Sequence, residues 1–169
     1  MDDSFFSYLQ RLELLAFFSG YPLLYAIVVF IAGKERSETA IKGRIVSMLP
    51  YGYALVGTLY LGLQIRNLYP DYSFENIKLT IQDPFLISWG LLSIFFWIPV
   101  VSKKPVVSLL HSLVFFFFLI KDLFIHSTDK SVIRNNMNIY TTSLLINIAA
   151  FAFLVLLSFL FNALKKLNN

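Results

Sequence analysis

PVVSKKPVV, Pro99–Val107, stands between two uncharged apolar runs, Phe85–Ser102 and Pro105–Ile120. One continuous helix through both would carry two prolines and two lysines near its middle. Pro105 has no N–H to donate to the preceding turn, and its ring clashes there, whereas it suits the first turn of a new helix. The stretch therefore reads as a tight hairpin with Lys103 and Lys104 at its tip.

Outward from this hairpin the same kind of run recurs, at Leu14–Gly33, Ile45–Ile65 and Asn135–Leu164. The run after Pro105 extends to about Ile125 if Lys121 and Asp122 are tolerated. Roughly 20 apolar residues cover the hydrocarbon of a bilayer. The 169 residues are 57% hydrophobic and 14% charged, against about 25% charged in soluble domains. The expected fold is all-α: one polytopic transmembrane helical bundle over residues 1–169, with five spans, or four if one arm of the hairpin is re-entrant. There are no cysteines, so disulfide and thiolate chemistry is excluded. MDDSFF shows neither a basic n-region nor a small-residue cleavage site, so no removable signal peptide is expected.

Charge orients the spans. If the N-terminus is outside, the inside segments hold Lys34, Arg36, Lys42, Arg44, Lys103, Lys104, Lys165 and Lys166, against Glu35 and Glu38. Of 14 basic and 10 acidic residues in all, that leaves six basic and eight acidic outside. This is the positive-inside pattern, and it places the C-terminus in the cytoplasm. Usage rich in Phe, Ile, Lys and Asn suits an AT-rich bacterial genome, hence an inner membrane.

The longest connection is Asn67–Asp83. In it Ile77, Leu79 and Ile81 alternate with polar residues, which predicts a short strand or an interface-lying segment. Asp83-Pro84 predicts an N-cap and first helical residue. In the first span, Pro22 removes the bond to the Phe18 carbonyl and predicts a kink beside Gly20.

At 100° per residue, polar groups fall on single stripes. One holds Tyr53, Gly57, Tyr60 and Gln64; a second holds Ser108, His111 and Ser112, continuing to Asp122 and His126; a third holds Tyr140, Ser143, Asn147 and Ser158, with Asn162 close by. Lipid cannot satisfy such groups, so the stripes face inward or toward a neighbouring subunit. They read as interhelical hydrogen-bond glue, with Gly52, Gly57 and Gly62 permitting close approach. Lys121, Asp122 and His126 read as an interfacial cluster ending the fourth span, with Asp122 and His126 paired. His111 and Asp122 lie about 16 Å apart along a helix, too far to share a metal.

No nucleophile–base pair, paired carboxylates or metal motif appears, so neither an enzyme nor a cofactor is expected. Nucleic-acid binding is not expected either, because topology accounts for the net charge of +4. The expected function is a non-enzymatic membrane subunit. It would oligomerise with itself in the bilayer and offer its basic face to a cytosolic protein, as sensor or anchor in a system such as secretion, envelope stress or anti-phage defence. The alternative is a small channel or transporter that uses the stripes.

Overall fold

The computed structural model describes residues 3–34, 40–81, 83–125 and 130–167, with side chains over 8–32, 43–81, 83–125 and 130–165. These residues form α1 (Asp3–Phe18), α2 (Tyr21–Lys34), α3 (Ala40–Ser47), α4 (Leu49–Asn67), α5 (Phe74–Thr80), α6 (Pro84–Leu91), a 3-10 segment (Leu92–Trp97), α7 (Pro99–Ser102), α8 (Pro105–Ile125) and α9 (Lys130–Leu167). No strand occurs among them.

Four helical stretches are long and apolar enough to cross a membrane: Tyr8–Ala32, Gly43–Asn67, Pro105–Ile125 and Lys130–Lys165. A fifth crossing depends on α5 and Pro84–Trp97, which meet at 101°. The α6 residues and the six 3-10 residues together cover about 24 Å at their respective rises of 1.5 and 2.0 Å. Ser93 tightens this turn by donating to Gly90 O at 2.6 Å.

Proline chemistry sets the breaks. Ile98 is extended at φ −75°, ψ 123°, as the residue before Pro99 should be, and α7 starts at that proline. The chain turns at Lys103 and Lys104, and α8 opens on Pro105, so the hairpin forms where the sequence puts it. The first span breaks between α1 and α2 at Ser19 and Gly20, just before Pro22. Asp83 caps α6 by accepting from Leu86 N at 3.2 Å, with Pro84 in the first turn.

Two expectations are corrected. Of the two alternatives for Ile77–Ile81, strand or interface-lying segment, the strand is excluded, because the segment is helix α5: Ser73 caps it, its hydroxyl accepting from Asn76 N at 3.2 Å. The first span also begins earlier than Leu14, because α1 runs unbroken through Arg11 and Glu13. Arg11 is accommodated over the Phe118 ring at 4.8 Å. Glu13 is accommodated by Asn67 Nδ2, which donates to its Oε2 at 3.4 Å.

The core gathers where α1, α4, α6, α8 and α9 meet. Phe18 lies at its centre, fully buried. Its ring stacks on Phe115 at 4.8 Å and meets Tyr53 and Tyr60 edge-on at 5.6 and 5.4 Å. Backbone approaches back this up. At Gly20 a Cβ would stand 2.4 Å from Leu144 N, and at Gly57 it would stand 2.0 Å from Ser93 Oγ. Gly52 makes only ordinary contact with Phe151, and Gly62 faces open space. Gly62 therefore brings no two described helices of this chain together, while Gly20, read only as part of a kink, is the tightest backbone contact.

Candidate functional site: the intramembrane polar core

All three stripes turn into the same bundle. Tyr53, Tyr60, Ser108, Ser112 and Ser143 are fully buried, and Gln64 and Asn147 nearly so. Gly57 is buried too, and His111 is half-buried. His111 lies about 10 Å along α8 from Lys104 and about 16 Å from Asp122, so it sits well inside a hydrocarbon layer of about 30 Å.

The central contact joins α4 to α8: Tyr53 Oη lies 2.7 Å from His111 Nδ1. Three rings close around the imidazole. Trp89 stacks on it at 4.8 Å with planes 6° apart, Phe96 meets it edge-on at 5.9 Å, and Phe115 lies tilted at 5.9 Å. Trp89 also donates to the His111 carbonyl at 3.4 Å. The other ring nitrogen, Nε2, is buried with no hydrogen-bond partner among the described residues.

Two further contacts flank this pair. Tyr21 Oη lies 2.7 Å from Ser108 Oγ, which donates to Pro105 O at 2.7 Å. On α9, Ser143 Oγ accepts from Gly20 N at 2.8 Å, and Asn147 Nδ2 donates to Phe17 O at 2.7 Å and Ser143 O at 2.8 Å. The break at Gly20 exposes the backbone groups that α9 binds, so the kink and the polar stripe form one joint. Ser112 donates to Leu109 O at 2.8 Å within its own helix.

Other predicted positions are not brought together. Tyr140 is half-buried with its ring against Phe116 at 6.0 Å. Ser158 is half-buried away from the Tyr53–His111 centre, and its carbonyl accepts from Asn162 Nδ2 at 2.7 Å. Asp122 accepts from Asn136 Nδ2 at 2.7 Å, which ties α8 to α9. His126, its predicted partner, lies outside the described residues. Lys121 is exposed. Of the predicted basic face, Arg44, Lys103, Lys104 and Lys165 are exposed at the end opposite the Asp122–Asn136 bond. The side chains of Lys34, Arg36, Lys42 and Lys166 lie outside those described.

Sequence reasoning missed Trp89, whose place over His111 is purely tertiary. It also missed Glu13, because a charge beside an apolar run was taken as the end of the span. The recurrence of Gln10, Glu13 and Phe17 on one helical face was the available signal. Among the described residues no three His, Asp or Glu side chains converge as a metal site would need. No protein-family model, no curated protein and no solved structure matches this chain.

Proposed function

We infer that this chain is a non-enzymatic membrane subunit whose polar core holds its helices together, and which serves as sensor or anchor for a cytosolic partner bound at the basic end. The observation that carries the reading is the closure of the stripes on one another. Tyr53 meets His111, Tyr21 meets Ser108, and Ser143 and Asn147 meet the backbone beside the α1–α2 break. Conducting paths are lined by charged rings, carbonyl rings or hydrated surfaces, whereas aromatic rings close around this imidazole. Interhelical hydrogen bonds are worth on average about 0.6 kcal/mol each, so holding a bundle takes several, as here.

An N-out, C-in orientation in a bacterial inner membrane belongs to the same proposal, supported by the charge bias. Self-association now has a different ground. Tyr53, His111 Nδ1, Ser108, Ser143 and Asn147 Nδ2 find partners within one chain, but only 17% of the apolar window of α9 is buried against its own bundle, which leaves a long face for lipid or a second copy.

The test separates glue from path. Purified protein in liposomes should pass no specific ion or solute, and His111→Leu should lower stability without altering flux. A pH-dependent current lost in His111→Leu, with folding unchanged, would replace this proposal with the channel reading.

A further inference from the structure

Glu13 is a carboxylate inside a membrane-spanning stretch, and the groups around it are left incomplete. It is half-buried and takes a long bond from Asn67, which is exposed at the end of α4. One and two turns deeper on the same face of α4 stand Gln64 and Tyr60. Tyr60 is 0% exposed and Gln64 8%. Tyr60 Oη and Gln64 Nε2 are both buried with no hydrogen-bond partner among the described residues. An orphaned polar group in an apolar interior costs about 1–3 kcal/mol, a penalty that a leucine at either place would avoid. Two of them one turn apart, near an intramembrane carboxylate, point to a ligand.

Charge selects the ligand. Glu13 is acidic and stands one helical turn from Phe17, whose ring meets Tyr60 edge-on at 5.4 Å, and it is bonded to Asn67, one turn from Gln64 on α4. Arg11, on the same helix, is turned away over Phe118. An anion is therefore repelled, and an apolar occupant would leave the hydroxyl and the amide unmet. A divalent ion such as calcium takes about 6–8 oxygens, commonly from several carboxylates, and Asp83 is already engaged as the cap of α6. A monovalent cation fits one carboxylate, one phenol oxygen and one amide oxygen. Gln64 supplies that oxygen with its carboxamide turned over, an exchange that leaves its shape unchanged.

We propose that Glu13, Tyr60 and Gln64 form a binding site for a small monovalent cation, sodium or potassium, entered past Asn67. The site stands apart from the Tyr53–His111 centre, so it holds whether or not the subunit reading does.

The test uses the full chain in phosphatidylcholine nanodiscs, with thermal unfolding followed through Trp89 and Trp97 fluorescence. Sodium or potassium chloride is titrated against choline chloride at constant ionic strength. The expected result is a saturable rise in midpoint with sodium or potassium that choline does not give. Glu13→Gln should raise the half-saturating concentration at least tenfold, and Tyr60→Phe several-fold. Glu75→Gln, which removes an exposed carboxylate of α5, should leave the curve unchanged. If Glu13→Gln does not fold, Tyr60→Phe, which loses one buried oxygen and no packing, decides. Superimposed sodium, potassium and choline curves would mean an internal water only and overturn the proposal, as would an undiminished rise in Glu13→Gln or Tyr60→Phe.

Discussion

Replacing Gly20 with alanine adds one methyl group at the tightest backbone contact in the bundle. The new Cβ would stand 2.4 Å from Leu144 N, 2.6 Å from Leu144 Cα and 2.7 Å from the Ser143 carbonyl carbon. All three are backbone atoms of α9, so no rotamer change relieves the clash. Restoring ordinary contact requires α9 to retreat by about 1 Å, and overpacking of this sort costs about 1–3 kcal/mol. The retreat also stretches the Gly20 N–Ser143 Oγ and Asn147 Nδ2–Phe17 O bonds, adding about 0.6 kcal/mol apiece. The total loss is about 2–4 kcal/mol. Gly62→Ala is the matched control, since a Cβ there meets nothing within 4 Å. Inside a helix that change should gain up to about 1 kcal/mol from propensity alone. Equilibrium unfolding in mixed SDS micelles reads both, and the two alanines should move the midpoint in opposite directions. Equal midpoints for Gly20→Ala and Gly62→Ala would refute the close approach of α9.

Three other outcomes follow from the same geometry. Asn147→Leu removes the donor to Phe17 O and should cost about 1–2 kcal/mol; unchanged stability would mean that α9 is held by packing alone. Because the chain has no cysteine, single cysteines report topology directly: Ser4, Ser73 and Thr128 should label from outside intact cells, and Ser37 and Asn168 should not. Labelling at Asn168 would require an even number of crossings. Native mass spectrometry in mild detergent should show a homo-oligomer, and a monomer at every concentration would remove self-association from the proposal.

What the sequence made legible was whatever a single residue type enforces locally. Pro105 and the two lysines place the hairpin, Pro22 breaks the first span, and Asp83 followed by Pro84 starts α6. The stripes were legible because 100° per residue holds for a straight helix whatever surrounds it. Pairings between helices were not. Nothing in the sequence says that Trp89 covers His111 or that Asp122 meets Asn136, since each depends on how far one helix slides past another. In α5, a two-residue alternation over a few positions cannot exclude a helix when a capping serine precedes it. Glycines mislead for the same reason: Gly57 and Gly62 look alike on paper, and only the neighbour across the groove distinguishes them.

Phe18 gives the two polar regions an unusual relationship. Its ring lies between the Tyr60 end and the Tyr53–His111 centre, in contact with both tyrosines and with Phe115. A hydrocarbon ring carries no proton and admits no water, so neither a proton nor an ion passes through it from one region to the other. The same ring is fully buried and cannot turn without displacing the tyrosines it touches. The bundle thus bars proton and ion transfer between its two polar regions while packing both tyrosines against one shared ring.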